Sequence, residues 1–172
     1  MRTPRNIFLV GPMGAGKSTV GRQLSRALKK QFIDSDKAIE ERTGASISLI
    51  FDLEGEEGFR RREQAVIEEL TALDDIVLAT GGGAVLAEAN RSYLMSRGFV
   101  VYLSAPADLL IERTARDRLR PLLRTDDPAA RVAELLAERD PIYRQVADVV
   151  VHTDRRSARH VVKEIQGFLE TM

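Results

Sequence analysis

Short apolar runs alternate along the chain with longer stretches of helical periodicity. Five runs rich in β-branched residues predict strands, at Ile7 to Val10, Phe32 to Asp34, Ile76 to Ala79, Val100 to Leu103 and Val149 to His152. Strands that alternate with helices form a parallel sheet covered on both faces. The pattern therefore predicts a three-layer α/β fold around a five-stranded parallel sheet, with ligand-binding residues in the loops that follow the strands.

Composition narrows the classes of protein that fit this pattern. The 172 residues suit one domain spanning the whole chain, without repeat or linker, and 26 basic residues balance 26 acidic ones. A zero net charge does not favour binding to nucleic acid or to an anionic membrane. The absence of cysteine excludes disulfides and thiolate metal sites. Since no apolar stretch approaches the ~18 residues of a membrane span, we expect a soluble cytoplasmic protein.

The segment "GPMGAGKSTVG" joins the first predicted strand to a helical pattern. Its residues Gly11, Gly16, Lys17 and Ser18 fit the phosphate-binding pattern G-x-x-x-x-G-K-[ST]. Glycines let backbone N–H groups turn toward phosphate oxygens, the lysine adds a charge for the β- and γ-phosphates, and the serine hydroxyl suits Mg²⁺. The alternative is an ordinary glycine-rich turn, but the strand before and the helix after favour nucleotide binding.

A nucleotide site alone fits a kinase, a GTPase switch or a motor. Switches of the common type read guanine with an Asn-Lys-x-Asp motif, which this sequence lacks, and most motor ATPases are larger. The remaining class is a phosphotransferase that acts on a small acceptor.

Two carboxylates follow the second predicted strand, in "FIDSDKAIEERTG". Asp34 and Asp36 are two positions apart, so an extended backbone directs both to one face near the phosphates. One carboxylate would orient Mg²⁺ and the other would accept a proton from the acceptor hydroxyl. The alternative makes Ser35 or Asp36 the N-cap of a helix that ends at Gly44.

The segment "GFRRREQAVIEEL" predicts a helix with one apolar face, formed by Phe59, Val66, Ile67 and Leu70. Arg61 points away from this face, while Glu63 lies within it and needs a partner. Arg60, three residues earlier, is at a spacing that allows an ion pair. The alternative, a solvated charged face, suits Arg61 better than Arg60. Arg60 is therefore predicted to be held by Glu63 and presented to an anionic substrate.

Two further segments carry candidate chemistry. The loop "ATGGGAVL" follows the third predicted strand, and Gly81 to Gly83 permit close approach of the backbone to a ligand, although a flexible turn is the alternative. The basic stretch at about 113–128 is interrupted by Pro121 and predicts a mobile lid over the phosphates. Some of its arginines are expected to be merely solvated. Tyr143 and Arg144 in "RDPIYRQVAD" by themselves indicate only a helix end.

Together these segments resemble the shikimate kinase family over nearly the whole chain. The matching stretches are "GPMGAGKSTVGR", "FIDSDKAIEERTG", "GEEGFRRRE", "ATGGGAV", "RLRPLL" and "PIYRQVAD", in the family's order. The resemblance implies a nucleoside-monophosphate-kinase-like P-loop NTPase fold and transfer of the ATP γ-phosphoryl group to the 3-hydroxyl of shikimate, in the chorismate pathway to aromatic amino acids. It also implies Mg²⁺ with ATP as co-substrate. A monomer is expected.

The same resemblance implies a role for individual residues. Asp36 resembles the carboxylate that binds the 3-hydroxyl, within a shikimate-binding helical region at about 35–63. The catalytic residues would be Lys17, Asp36 and Arg120; the nucleotide would be bound by Gly14, Ala15, Gly16, Lys17, Ser18, Thr19, Arg113 and Arg120; shikimate by Asp36, Arg60, Gly81, Gly82, Gly83 and Arg144; and the metal by Ser18 and Asp34. The alternatives are a gluconate kinase of the same fold and a nucleotide-binding switch without transfer chemistry.

Overall fold

A computed structural model describes residues 4–115 and 124–172 of the chain. In these ranges five strands form one parallel sheet, as predicted, and their order in the sheet is β2-β3-β1-β4-β5. The strands are β1 (Ile7–Val10), β2 (Gln31–Asp34), β3 (Ile76–Ala79), β4 (Phe99–Ser104) and β5 (Val149–His152). Three match the predicted bounds, β2 begins one residue earlier, and β4 is longer by one residue at each end.

The segments between the strands are mostly helical. The helices are α1 (Lys17–Leu28), α2 (Ser35–Thr43), α3 (Ile47–Thr71), α4 (Glu88–Arg97), α5 (Ala107–Thr114), α6 (Pro128–Val146) and α7 (Ala158–Glu170), with a short 3-10 helix at Ala84–Leu86. The long α3 is interrupted at Gly55, where φ is 73° and ψ is 179°. The helix is therefore two rods that meet at this glycine, and Arg60 belongs to the second.

Alternating side chains of the central strand β1 build a hydrophobic core on each face of the sheet. Ile7 and Leu9 pack with residues of α1 and α7, whereas Phe8 and Val10 pack with residues of α3, α4 and α6. All four side chains are fully buried, as expected for a strand covered on both faces. The sheet thus has one helical layer on either side, and the carboxyl ends of its strands meet at one edge.

The residue that caps α2 differs from the two that the sequence had left open as N-cap candidates. Neither Ser35 nor Asp36 caps α2; the N-cap is Asp34, whose side chain accepts from the backbone N–H groups of Asp36 and Lys37. The strand therefore runs directly into the helix without an intervening loop. The other end matches the expectation, since Gly44 is the C-cap with φ of 69°.

Half of the predicted lid at about 113–128 falls outside the described residues. Residues 116–123, which include Arg120 and Pro121, are not described, while α5 ends at Thr114 and α6 begins at Pro128. Among the described residues, no helix is both long and apolar enough to cross a bilayer.

Candidate active site

The loop between β1 and α1 has a backbone that only glycine adopts readily. Gly11, Gly14 and Gly16 have φ angles of 148°, 85° and 97°. At Gly11 a side chain is also excluded by space, because a Cβ there would lie 2.5 Å from the carbonyl oxygen of Leu103. The loop therefore packs against the end of β4 and turns its backbone into the start of α1, the geometry that a phosphate requires.

Lys17 begins α1 and folds back across this loop. Its ammonium group donates to the carbonyl oxygens of Gly11 and Pro12, at 2.6 Å and 2.8 Å. These contacts hold the positive charge beside the loop rather than in the solvent. The charge is therefore in place to meet phosphate oxygens bound by the loop.

Ser18 and Asp34 form a hydrogen-bonded pair beside the phosphate loop. The Ser18 hydroxyl donates to Oδ2 of Asp34 at 2.7 Å, while Oδ1 accepts from the N–H groups of Asp36 and Lys37 at 3.0 Å and 3.2 Å. One oxygen of the Asp34 carboxylate is thus held by the N–H groups of α2, and the other faces Ser18. In the described ranges no group of three or more His, Cys, Asp or Glu side chains is arranged to hold a metal.

A second cluster lies further along the same edge of the sheet, around Gly81. A Cβ at Gly81 would lie 2.6 Å from Oδ1 of Asp36 and 3.0 Å from Oε2 of Glu63. Only glycine leaves room for both carboxylates to approach the backbone here. At Gly83 an added Cβ would overlap the guanidinium of Arg60. The glycine loop therefore brings α2 and the second rod of α3 together around one backbone turn.

Arg60 and Glu63 form the predicted ion pair on the inner face of α3. Their atoms Nη1 and Oε1 are 2.7 Å apart, and the Glu63 side chain is only 1% exposed. Burial raises the pKa of Glu63, the neighbouring Arg60 lowers it, and Asp36 raises it further. Nε of Arg60 and Oε2 of Glu63 are buried without a hydrogen-bond partner within the described structure. Such buried polar atoms indicate a place for a polar ligand.

The structure does not bring Arg144 to this cluster. Its Nε donates to Oδ2 of Asp140 at 2.9 Å, its side chain is 50% exposed, and it does not line the cavity along this edge of the sheet. The arginine of α6 that does line the cavity is Arg139, which is 5% exposed. Five positions on a helix rotate a side chain by ~140°, so the two arginines point to different sides. Sequence reasoning missed Arg139, although "RDPIYR" contains both.

The helical spacing in α6 contained the signal that distinguishes the two arginines. Arg144 lies four residues after Asp140, a spacing that favours a surface ion pair. Arg139 lies four residues before Tyr143, which is fully buried, so its side chain lies over the core. Assigning the buried face of α6 before choosing the arginine would have selected Arg139.

At the opposite end, residues after β4 and β5 border the phosphate loop. Arg113 of α5 donates from Nη1 to the carbonyl oxygen of Gly14 at 2.9 Å. Arg156, after β5, donates to the carbonyl oxygen of His152 at 3.0 Å. Sequence reasoning did not single out Arg156, although the rule that ligands bind after parallel strands applies to β5 as well.

One cavity of about 840 Å³ joins both ends of the site. It runs from the phosphate loop to the arginine cluster along the carboxyl edge of the sheet. Its lining includes the phosphate-loop residues Gly14, Ala15, Gly16, Lys17, Ser18 and Thr19, the acidic residues Asp34, Asp36 and Glu63, the arginines Arg60, Arg113, Arg139 and Arg156, and Gly81, Gly82 and Gly83. All described residues of the predicted site lie here except Arg144; Arg120 is outside the described residues.

Solved structures with this fold include kinases of two kinds. The shikimate kinase of Acinetobacter baumannii, solved in complex with shikimate, is 49% identical, and the match covers 97% of this chain and 93% of that one with a TM-score of 0.95. A gluconokinase from Sinorhizobium meliloti shares the fold at a TM-score of 0.60, with 18% identity and coverage of 99% and 94% of the two chains. The second likeness supports the fold alone.

Sequence comparisons agree over nearly the full length. The shikimate kinase of Halorhodospira halophila is 62% identical over 170 residues, which cover 96% of each chain. The family model described as shikimate kinase matches residues 13–170. The chain therefore belongs to the shikimate kinase family and is an ATP-dependent phosphotransferase.

Proposed function

We propose that the cavity binds ATP at the phosphate loop and shikimate at the arginine cluster, and that it transfers the γ-phosphoryl group to the 3-hydroxyl of shikimate. The observation that carries the proposal is the continuity of one cavity from Lys17 to Asp36 and Arg60. The A. baumannii relative was solved with shikimate bound, which supports the choice of acceptor. The product would be shikimate 3-phosphate, with ADP leaving.

The phosphate end supplies electrostatic stabilisation. N–H groups of the loop and the ammonium of Lys17 face the β- and γ-phosphates, where negative charge redistributes as the bridging P–O bond of ATP breaks. Both are fixed before the nucleotide arrives, because Lys17 is held by the carbonyl oxygens of Gly11 and Pro12. Little reorganisation is then needed during the transfer step.

Ser18 and Asp34 fit the requirements of Mg²⁺. The ion prefers oxygen ligands and commonly takes one or two from the protein and the rest from phosphates and water. The pair offers a hydroxyl and a carboxylate whose oxygens are 2.7 Å apart, beside the phosphate loop. When bound, the ion would neutralise phosphate charge. Asp34 is held for this role by the N–H groups of α2.

The acceptor end would hold the carboxylate of shikimate between Arg60 and Arg139. The unpaired Nε of Arg60 supports this assignment, as do the burial of Arg139 and the position of both arginines along the cavity. An arginine offers paired N–H donors that replace the hydration lost by a carboxylate. Two arginines also orient the ring. Arg139 takes the place that the sequence had suggested for Arg144.

Asp36 would orient the 3-hydroxyl and accept its proton as the new O–P bond forms. It lies within the same cavity as Lys17, on the first turn of α2, and faces the backbone at Gly81. Since the transition state of phosphoryl transfer is loose, placing the hydroxyl in line with the γ-phosphate contributes more than removing its proton. The helical region 35–63 thus carries the acceptor side of the reaction.

A coupled assay of ADP release over shikimate, gluconate and nucleoside monophosphates tests the proposal. We expect turnover with shikimate and near-background rates with the others. Arg60→Ala should lower kcat/KM for shikimate by about 30-fold or more with little change in the KM for ATP. Arg61→Ala is the matched control, since the Arg61 side chain is 69% exposed. Equal losses in the two variants would contradict the clamp.

The remaining expectations stay predictions. These are a cytoplasmic location, a monomeric state, one domain over 1–172, a lid at about 113–128 and a phosphate contact by Arg120.

A further inference from the structure

The hydroxyl of Tyr143 connects the glycine loop with α6. It donates to the carbonyl oxygen of Gly82 at 2.5 Å. The Arg139 guanidinium, one helical turn earlier, lies beside the same residue of the loop, since its Nη1 is 3.7 Å from the position that a Cβ on Gly82 would take. Burial raises the pKa of Tyr143 to about 12 although Arg139 lowers it, so the phenol is neutral and keeps its proton for Gly82.

The hydrogen bond of Tyr143 fixes one side of the glycine loop. A backbone carbonyl can only accept, so the hydroxyl donates to Gly82. The charge of Arg139 lowers the pKa of the hydroxyl, as expected for a guanidinium close to it. The bond therefore links α6, which carries Arg139, to the backbone of another wall of the cavity.

The position of this hydroxyl is fixed by packing rather than by the site itself. Tyr143 is fully buried, and its ring centroid lies 4.9 Å from that of Tyr102, which is also fully buried. A ring enclosed in this way has few alternative rotamers. The hydroxyl is therefore a fixed point that holds the backbone of the glycine loop at Gly82.

We infer that Tyr143 is a positioning residue that holds the glycine loop against Arg139, so that the cavity binds the acceptor carboxylate in one orientation. The inference rests on the proposed function, since it assigns to Arg139 a contact with that carboxylate. Without the hydroxyl, the carbonyl of Gly82 loses its donor, and the glycine loop beside Arg139 gains freedom that binding must remove.

The variant Tyr143→Phe tests the inference because it removes the hydroxyl and keeps the ring. We expect the KM for shikimate to rise about tenfold, while kcat and the KM for ATP change by less than about twofold. Tyr102→Phe is the matched control. Its hydroxyl donates to Asp140 at 2.6 Å, and Asp140 is not among the described residues that line the cavity. The control should lower the melting temperature without raising the KM for shikimate.

A second acceptor separates positioning from general loosening of the fold. In a shikimate analogue whose carboxylate is reduced to a primary alcohol, Arg139 has no charged partner. Tyr143→Phe should then lower kcat/KM by less than about twofold relative to the unchanged enzyme. An equal loss with acid and alcohol, or an equal rise in the KM for shikimate in Tyr102→Phe, would overturn the inference.

Arg139→Ala in the same assays distinguishes failure of the inference from failure of the proposed clamp. If Arg139→Ala raises the KM for shikimate and Tyr143→Phe does not, the clamp stands and the positioning role is wrong. If Arg139→Ala leaves that KM unchanged, the clamp is wrong and the inference falls with it.

Discussion

The two ends of the cavity are built in different ways. The phosphate end comes mainly from consecutive residues between Gly11 and Ser18, and its groups are largely backbone N–H groups and carbonyls. The acceptor end is assembled from side chains of α2, α3 and α6 around the glycine loop after β3. The first end depends on local conformation and the second on the packing of distant elements. Substitutions should therefore separate nucleotide functions from acceptor functions.

The largest expected effects come from one substitution at each end. Lys17→Ala and Asp36→Asn should each lower kcat by about 10²–10⁴-fold, Lys17→Ala by removing charge beside the phosphates and Asp36→Asn by losing the group that orients the hydroxyl. Asp36→Asn should still bind ATP, whereas Lys17→Ala should bind it more weakly. Steady-state kinetics and calorimetric titration with an ATP analogue measure both. Retention of more than a tenth of normal turnover in Asp36→Asn would remove Asp36 from the mechanism.

The next largest effect is expected when the two arginines of α6, Arg139 and Arg144, are replaced in turn. Arg139→Ala should cost about 2–5 kcal/mol in kcat/KM for shikimate, roughly 30- to several-thousand-fold, because it unpairs a buried carboxylate. Arg144→Ala should change that ratio by less than about threefold, since its ion pair with Asp140 is at the surface. Kinetics with shikimate as the varied substrate measure both variants. The reverse order would restore Arg144 as the clamp.

A smaller effect is expected at the boundary between the two ends. Ser18→Ala should raise the Mg²⁺ concentration needed for half-maximal rate by about tenfold, as loss of a metal-site hydroxyl typically does. Ser25→Ala is the control, because its hydroxyl donates to the carbonyl oxygen of Arg22 at 2.8 Å within the same helix. A Mg²⁺ titration of both variants measures the concentration that gives the half-maximal rate. An unchanged midpoint in Ser18→Ala would exclude Ser18 from the metal site.

The smallest effect concerns stability at the acceptor end. Because burial raises the pKa of Glu63, the folded protein holds its proton to higher pH than the unfolded chain. Its contribution to the free energy of unfolding is then greatest below the unfolded pKa near 4.5 and falls as pH rises toward the folded value. Glu63→Gln should remove this decline, as urea denaturation across pH 4.5 to pH 8 would measure.

Glu56→Gln is the matched control for this stability effect. Glu56 also faces Arg60, at 3.6 Å, but its side chain is 52% exposed. The decline with pH should persist in this variant. A decline in Glu63→Gln as large as that in the unchanged protein would contradict the assignment.

The same difference between the ends explains what could be predicted from the sequence. The sheet follows from short apolar runs, and Gly11, Gly16, Lys17 and Ser18 are close in sequence because the phosphate loop is local. Arg139 was missed because its role depends on which face of α6 is buried, and that is decided by packing against Tyr102 and the glycine loop. Asp34 was expected near a metal but not as a helix cap, because the strand passes into α2 without a loop.

Asp34 is a single side chain that serves both the fold and the site. It ends β2, caps α2 and presents an oxygen to Ser18. Natural selection is therefore expected to act on most changes at this position twice, once through the amount of protein that accumulates and once through the rate per molecule. Asn is as good an N-cap as Asp but carries no charge, so we expect Asp34→Asn to leave the amount of protein nearly intact and to lower the rate. A stabilising change elsewhere in the gene can restore abundance but not the lost oxygen charge.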